Sequence, residues 1–331
     1  MNAILQPAYG LPDVLVHADV PRPAVRPDGV LVKVVCVGLH KGDWHLLTGT
    51  PYLVRFAGFG VLKPNQSIPG MAIAGIVEAV GADVGAFKQG DAVFGEIAGG
   101  GFAEYVCVGA GELAAVPAGV SFEDAATLPV SATTALQGLR DAGLVTAGQS
   151  VLVKGAAGGV GTFAVQIAKS LGAVVTGVCS AGNVALVKSL GADFVIDYGA
   201  QDFTQAGVKY DVIFDLVGNH GPAACRRALA PRGRLVACAG GAQNVVTGPM
   251  FSMIAGMLSN VGSTQPFVPL AAKPVVADLA AVAGLVAAGK VKPVVDRRYT
   301  LVEVPDALRY LGTGRSRGKS VVHLAAASEP H

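Results

Sequence analysis

A glycine-rich turn is the stretch of this sequence whose residue types and spacing point most directly to chemistry. Residues 151–161 read VLVKGAAGGVG, and the residues that follow, TFAVQIAKSLGA, have the apolar periodicity of a helix. A strand, a glycine turn and a helix in this order aim backbone N–H groups and the positive helix end at one point, where a dinucleotide pyrophosphate can bind. The alternative interpretation is a turn that merely joins a strand to a helix.

The end of the next predicted strand indicates which dinucleotide would bind. Residues 174–180, VVTGVCS, carry no Asp or Glu at their end. A carboxylate there would accept hydrogen bonds from both ribose hydroxyl groups and repel a 2′-phosphate. Ser180 instead leaves room for that phosphate and can donate a hydrogen bond to it. We therefore expect NADP(H) rather than NAD(H).

The cation that usually meets a 2′-phosphate is missing from its usual place. Gly182 and Asn183 stand there. Basic residues further along the chain could fold in toward the phosphate or could form a solvated face. They are Lys188, Arg315, Arg317 and Lys319.

The elements around the glycine turn predict an α/β protein. Strands alternate with helical patterns after residue 150, which is typical of a doubly wound parallel sheet. The later predicted strands are residues 194–198, 211–218 and 234–241.

Three segments follow from these patterns. Short alternating runs separated by Gly and Pro predict a β-rich domain over residues 1–122. The pattern becomes helical after Ser121, which we expect to cap a helix. Residues 123–264 would form the parallel-sheet domain, and residues 265–331 would return to the first domain.

Composition excludes several classes of protein. The 331 residues carry a net charge of +2 without a cluster of Lys or Arg, so we expect no nucleic-acid partner. The five cysteines are scattered without a CxxC pair, which favours reduced thiols in the cytoplasm. No secretory signal and no apolar run of membrane-spanning length is apparent, so we expect no membrane partner.

Longer motifs carry a family resemblance over nearly the whole chain. They are PGMAIAGIVEAVG (69–81), FKQGDAVFG (87–95), AATLPVSATTAL (125–136), SLGADFVIDY (189–198) and RGKSVV (317–322), together with the glycine turn. The chain resembles the medium-chain dehydrogenase/reductase superfamily, and within it the zinc-free quinone oxidoreductase-like branch. The resemblance implies a GroES-like catalytic domain, a Rossmann NADP-binding domain, a cleft between them, and often a homodimer.

The positions that hold zinc in other members of this superfamily predict a zinc-free protein. His40 occupies the first position, Met71 and Ala72 the second, and the third falls near Pro129. A catalytic zinc needs three protein ligands and an open position, and only His40 could serve. Met71 and Ala72 also replace a Thr-Asp pair that close relatives usually carry, which makes the expected pocket more apolar.

Without a Lewis acid to stabilise an alkoxide, hydride transfer suits an acceptor that spreads its own negative charge. We therefore predict an NADPH-dependent reductase of quinones or of the C=C bond of α,β-unsaturated carbonyls, the reaction type of an enoyl reductase. Two alternatives stay open. One is an NADPH-binding protein with little catalysis, which the loss of the polar pair at residues 71–72 favours. The other is a zinc-free carbonyl or alcohol oxidoreductase that uses His40 as proton donor.

The resemblance also implies the site residues. For catalysis it points to His40, Trp44 and Tyr52, although His40 could cap a turn, Trp44 could be packing and Tyr52 a surface ring. For the cofactor it points to strand ends and the glycine turn: Thr133, Gly158, Gly159, Val160, Gly161, Ser180, Asn183, Tyr198, Leu216, Val217, Gly218, Ala239, Gly240, Gly241 and Lys319. The Met- and Phe-rich residues 250–267 could cover the nicotinamide, form the dimer contact, or be a helix packed in the core.

Overall fold

A computed structural model describes residues 1–238 and 246–324 of the chain. The chain forms two compact units, and each is continuous in space but not in sequence. The first contains Met1–Thr133, Pro274–Gly289 and the residues from Pro293 onward, and the second contains Thr134–Lys273 with Lys290–Lys292. The first unit thus extends beyond residue 122, because the helix that follows Ser121 packs within it.

The first unit is β-rich, as its alternating sequence predicts. Its strands, numbered in chain order, are β1 (Asn2–Leu5), β2 (Val16–Asp19), β3 (Gly29–Gly38), β4 (Ala72–Val80), β5 (Ala92–Glu96), β6 (Tyr105–Gly109), β7 (Leu113–Ala115), β14 (Val295–Thr300) and β15 (Lys319–His323). The main sheet has the order β14-β15-β3-β4-β5-β7, with β6 also paired to β3, while β1 and β2 form a separate ribbon. Since β15 lies antiparallel to β3, the C-terminal segment completes this sheet.

Five helices belong wholly or partly to this unit: α1 (Lys41–Thr48), α2 (Phe122–Thr127), α3 (Ser131–Gln137), α8 (Val276–Ala287) and α9 (Val304–Gly312). Ser121 caps α2 as predicted, since its hydroxyl accepts the N–H of Asp124 at 3.0 Å. The end of β3 lies directly against α2. A Cβ on Gly38 would come within 2.0 Å of the carbonyl oxygen of Ala126, so only glycine permits this approach. The approach places the start of α1 and the start of α3 in the same region of the unit.

The second unit is a six-stranded parallel sheet, as the alternating pattern predicts. Its strands are β8 (Ser150–Lys154), β9 (Val174–Cys179), β10 (Phe194–Asp197), β11 (Tyr210–Asp215), β12 (Leu229–Ala237) and β13 (Phe267–Pro269). Their order, β10-β9-β8-β11-β12-β13, reverses direction between β8 and β11, which is where doubly wound sheets bind ligands. β12 begins earlier than predicted, and β13, only three residues long, has no sequence period that would reveal it.

The helices of the second unit are α4 (Gly161–Ser170), α5 (Val184–Ser189), α6 (Pro222–Arg226) and α7 (Met250–Leu258). Helix α4 is buried along most of its length. Helix α7 is different, because only Gly256 is buried while Phe251, Met257 and Leu258 are exposed. The interpretation of residues 250–267 as a core helix is therefore wrong for α7. Within the described residues, no helix has both the length and the apolar character needed to cross a bilayer.

Candidate active site

The turn between β8 and α4 has the geometry of a phosphate site. Gly155 has a φ of +84°, a left-handed conformation that favours glycine. A Cβ on Gly161 would lie 2.1 Å from the carbonyl oxygen of Gly155, so only glycine lets α4 begin so close to the turn. The N–H of Gly158 donates to that carbonyl at 3.1 Å, whereas the N–H groups of Gly159 and Val160 have no acceptor among residues 1–238 and 246–324. These two amides at the N-terminus of α4 fit an anionic group.

Ser180, Asn183 and Tyr198 come together at the carboxyl ends of β9 and β10. The Nδ2 group of Asn183 donates to Ser180 Oγ at 3.1 Å. The backbone N–H of Tyr198 donates to the carbonyl of the last residue of β9 at 3.0 Å, while its ring stays exposed. No side chain from the end of β9 brings a carboxylate here, so the three residues fit a ribose that carries a 2′-phosphate. Lys188 is exposed on α5.

Leu216, Val217 and Gly218 follow β11, where Asp215 holds them in place. One carboxylate oxygen of Asp215 accepts the N–H groups of Val217 at 2.9 Å and Gly218 at 2.8 Å. The other oxygen accepts a hydrogen bond from the ammonium of Lys154 at 3.0 Å. These amides are therefore occupied, and a cofactor would meet the carbonyl groups and side chains of this loop. The predicted residues Ala239, Gly240 and Gly241 lie outside the described residues.

His40 is buried in the first unit, at the start of α1. Its backbone N–H donates to Asp43 Oδ2 at 2.8 Å, and its ring Nε2 lies 3.6 Å from the same oxygen. Within the described part of the chain, neither ring nitrogen has a hydrogen-bond partner. Burial, together with the positive charges of Lys319 and His45, lowers the pKa of His40 to about 3. The imidazole is therefore neutral and presents one N–H donor and one acceptor nitrogen.

Lys319 does not lie where the sequence suggested. Its side chain is enclosed in the first unit, only 1% exposed, and its ammonium donates to Ser131 Oγ at 2.9 Å. The assignment of Lys319 as a tail cation for the 2′-phosphate is therefore wrong, because the ammonium is buried beside Ser131. Arg315 and Arg317 are exposed, as a solvated face would require.

The structure shows where the remaining predicted residues of the first unit lie: Trp44, Tyr52 and Thr133. Trp44 is half-buried and packs against α9, since a Cβ on Gly312 would meet its ring at 2.5 Å. This contact favours the packing role for Trp44, and the catalytic assignment stays a prediction. Tyr52 is 43% exposed, with the guanidinium of Arg55 at 4.7 Å from its ring centre. Thr133 is buried at the start of α3.

The side chains near His40 do not fit a zinc ion. No group of three His, Cys, Asp or Glu side chains in the described ranges could hold a metal. Met71, which stands at the second expected ligand position, lines a cavity of about 120 Å³ together with Asp43 and Phe59. One imidazole and the carboxylate of Asp43 beside it are fewer than the three protein ligands that a catalytic zinc requires.

Three residues of functional interest escaped the sequence analysis: Lys154, Asp215 and Ser131. Lys154 ends an otherwise apolar strand, VLVK, and a charged residue at the end of a buried strand signals a buried partner. Asp215 ends the neighbouring strand in the same way. Ser131 carries no such signal.

Comparisons with known proteins agree with this geometry. Residues 26–118 match the alcohol dehydrogenase GroES-like domain, and residues 190–322 match the family described as zinc-binding dehydrogenase. The chain is 34% identical to 2-methylene-furan-3-one reductase from Solanum lycopersicum, over 95% of this chain and 77% of that one. It is 33% identical to an NADPH-dependent alkenal/one oxidoreductase from Arabidopsis thaliana, over 98% and 79%.

Solved structures of other proteins have the same fold over almost the whole chain. The quinone oxidoreductase from Coxiella burnetii superimposes with a TM-score of 0.85 at 29% identity, covering 98% of this chain and 99% of that chain. The Escherichia coli quinone oxidoreductase complexed with NADPH gives 0.83 at 25% identity, covering 98% and 100%.

A GroES-like unit and a Rossmann unit in one chain define a class of pyridine-nucleotide oxidoreductases. Within that class the sequence identities show which family the chain belongs to, because they extend along almost the whole chain. The chain belongs to the medium-chain dehydrogenase/reductase superfamily, in its quinone oxidoreductase-like branch.

Proposed function

We propose that this protein reduces quinones or the C=C bond of α,β-unsaturated carbonyls, with NADPH as the hydride donor and without zinc. The observation that carries the proposal is the buried, neutral imidazole of His40, whose ring nitrogens have no hydrogen-bond partner among the described residues. Such a group can donate a hydrogen bond to an oxygen that becomes negative during the reaction. The names of the alkenal/one oxidoreductase and of the quinone oxidoreductase bound to NADPH support the same acceptors and the same cofactor.

NADPH supplies the hydride when it is bound. The chain's own residues would bind and orient it: the amides of Gly159 and Val160 hold the pyrophosphate, and Ser180 and Tyr198 receive the 2′-phosphate. His40 holds the acceptor through its carbonyl oxygen. Its hydrogen bond strengthens as charge develops on that oxygen, and this difference between ground state and transition state accelerates the reaction.

The test is the rate of NADPH consumption with a panel of quinones, enones and simple ketones. We expect turnover of quinones or enones, and His40→Ala should lower kcat by about 10²-fold, the cost of removing one oxyanion donor. His17→Ala is the matched control, because His17 is an exposed histidine of the same unit. Binding of NADPH without turnover would support a binding protein instead, and preferred reduction of ketones that is lost in His40→Ala would support a carbonyl reductase.

The homodimer is part of the proposal and is supported by helix α7 and strand β13. Phe251, Ile254, Met257 and Leu258 of α7 are exposed, and β13 is the last strand of its sheet within the described residues. An apolar helix face beside a free strand edge suits contact with a second copy of the chain. Light scattering should give twice the mass of the chain, and Phe251→Asp with Leu258→Asp should give the monomer mass.

A reducing compartment such as the cytoplasm is also proposed. The five cysteines of the chain are free thiols, and three of them are buried. Cell fractionation with thiol labelling tests this, since recovery of the protein in an oxidising compartment with blocked thiols would contradict it.

A further inference from the structure

A cavity of about 120 Å³ lies within the β-rich unit, next to the side chains of the candidate active site. Buried Asp43 and Gly70 line its inner part, and exposed Phe59 and Gln66 line its outer part. Asp43 also lies against His40, since its Oδ2 atom is 3.6 Å from the ring Nε2. A substituent of an acceptor that His40 binds would therefore lie close to this cavity.

The wall of the cavity is mainly apolar. Its apolar side chains are those of Leu46, Phe59, Pro64, Pro69, Met71 and Ala98. Residues 44–77, which supply most of the wall, contain no Asp or Glu. Apart from Asp43, no Asp, Glu, Lys, Arg or His is among the described residues that line the cavity. Such a wall favours an apolar group of a ligand, because transfer of that group out of water is favourable.

The polar side chains of the wall are largely used by the protein's own backbone. Gln6 Nε2 donates to three backbone carbonyl oxygens, each within 3.3 Å. Asn65 Nδ2 donates to the carbonyl oxygen of Gly58 at 2.7 Å, and the hydroxyl of Tyr9 donates to that of Gly60 at 2.6 Å. These groups stabilise the wall rather than bind a ligand, so the cavity selects its occupant by shape and apolar contact.

The outer wall has a fixed shape. Gly60 has a φ of +106°, and a Cβ there would lie 2.1 Å from the carbonyl oxygen of Lys63, so only glycine permits this turn. The carbonyl oxygen of the preceding residue, Phe59, accepts the N–H of Asn65 at 2.8 Å. These contacts are made within the protein itself. The cavity is therefore preformed, and its size is set by the fold.

The volume limits the length of the group that can enter. A protein cavity of about 150 Å³ with apolar walls can hold a benzene molecule. The slightly smaller volume here suits an alkyl group of about four or five carbon atoms. A longer chain would have to extend past Phe59 into solvent, where its additional carbon atoms gain nothing from burial.

We propose that the acceptor is an α,β-unsaturated ketone whose alkyl group of about four or five carbons fills this cavity, an inference that rests on the proposed reductase function. The alkyl group is the one on the carbonyl carbon, because the β-carbon has to stay accessible to the hydride. The carbonyl oxygen then lies toward His40, and the alkyl group contacts Leu46, Phe59 and Met71. These three residues determine specificity and take no part in the chemistry.

Activity toward a series of alkyl vinyl ketones tests the cavity. From the methyl to the heptyl compound, only the alkyl group on the carbonyl carbon changes. We expect kcat/KM to rise about fourfold for each added methylene group up to a chain of about four or five carbons, and then to stay level because the cavity is full. A profile that is flat from the start, or one that rises without a limit to the heptyl compound, would overturn the proposed substrate class.

Substitutions of Met71 test the wall. Met71→Trp takes up space in the cavity, so the ratio of kcat/KM for pentyl over methyl vinyl ketone should fall by at least about tenfold. Met71→Ala enlarges the cavity, so kcat/KM should keep rising beyond the chain length at which the wild type levels off. Leu62→Ala is the matched control, because Leu62 is 91% exposed and lies outside the cavity wall. Its profile should match that of the wild type, and a wild-type profile in both Met71 variants would contradict the proposal.

A binding measurement tests the cavity without any need for activity. Ethyl pentyl ketone serves as the probe, because it has no C=C bond to reduce. In protein labelled with ¹³C at the methionine methyl groups, the resonance of Met71, assigned by its loss in Met71→Ala, should shift as the ketone is added. The other methionines of the chain are internal references. No shift of the Met71 resonance up to the solubility limit of the ketone would overturn the proposal.

The outcomes separate this inference from the proposed function. A wild type that reduces quinones or enones without the expected chain-length profile would overturn the inference and leave the proposed function intact. A wild type that reduces no acceptor would overturn the proposed function, and the Met71 resonance would still decide whether the cavity binds an alkyl ketone. Circular dichroism checks that each variant is folded. Should Met71→Trp fail to fold, Met71→Ala and the wild-type profile decide.

Discussion

The ammonium of Lys154 lies 3.0 Å from the carboxylate of Asp215, and each of the two side chains is 4% exposed. The residues stand directly opposite each other in the parallel register of β8 and β11. β8 leads into the glycine turn. β11 leads into the loop that Asp215 stabilises, because its carboxylate accepts the N–H groups of Val217 and Gly218. One buried ion pair therefore fixes both walls of the crevice where the strand order reverses.

Removing one charge of this pair should cost more than removing both. Asp215→Asn leaves the Lys154 ammonium buried without a counter-charge, and we expect the free energy of unfolding to fall by about 3–5 kcal/mol. Lys154→Met combined with Asp215→Asn should recover part of that loss, because no uncompensated charge remains. Urea denaturation of the two single variants and the double variant measures the coupling. Additive effects within about 0.5 kcal/mol would contradict the pairing.

The glycine at the start of α4 should be irreplaceable. A Cβ on Gly161 would lie 2.1 Å from the carbonyl oxygen of Gly155, so Gly161→Ala must displace either the turn or the helix. We expect NADPH affinity to drop by at least about tenfold, or about 1.4 kcal/mol, in calorimetric titrations. Gly284→Ala is the control, because a Cβ there meets nothing within 4 Å in helix α8, and it should raise stability by up to about 1 kcal/mol.

Ser180 should determine the choice of cofactor. The wild type should bind NADPH at least about tenfold more tightly than NADH, because Ser180 leaves room for a 2′-phosphate that a carboxylate would repel. Ser180→Asp should reverse this preference. Ser189→Asp, which adds the same charge on exposed helix α5, should leave it unchanged. Equal affinities of the wild type for the two cofactors would contradict the role of Ser180.

A pH-dependent contribution to stability is expected from Glu123 in the β-rich unit. Burial raises the pKa of Glu123, but hydrogen bonds from Arg298 and His323 outweigh this and leave the pKa below 4.5. The contribution is therefore fully present above pH 4.5 and is lost as the pH falls through the lowered value. Because the group is partly exposed, we expect Glu123→Gln to cost only about 1 kcal/mol at neutral pH.

Thermal unfolding at neutral pH and in acid would test this expectation. The difference between wild type and Glu123→Gln should vanish in acid. Asp83→Asn is the control, because Asp83 is exposed and its carboxylate has no partner in the described residues. A difference that persists unchanged in acid would mean that Glu123 acts through packing rather than through its charge.

Local patterns were enough to predict most of the fold. The glycine turn, the cap at Ser121 and the strands near residues 194 and 211 follow from the spacing of apolar, glycine and capping residues along the chain. Ser180 and Tyr198 could be placed at strand ends for the same reason. Each of these features depends on residues close in sequence.

Side-chain partners distant in sequence could not be predicted. Lys319 and Ser131 are 188 positions apart, and Lys154 and Asp215 are 61 apart. Sequence shows that a residue is charged, but burial and partner are set by tertiary packing. Lys319 was for this reason expected beside the 2′-phosphate rather than next to Ser131, and the contact of Trp44 with α9 could not be foreseen.

The pairing of β15 with β3 also bears on how the chain folds during synthesis. Val322 of β15 aligns with Val37 of β3, so residues 36–38 of β3 lack a partner on one edge until a strand almost 300 residues later is made, while β6 already pairs with residues 29–33. The parallel sheet, which is nearly continuous in sequence, can close while the ribosome is still translating the C-terminal segment. During that interval the end of β3 exposes unpaired backbone groups, which makes this incomplete sheet the point where nascent chains would associate wrongly and where a chaperone would act.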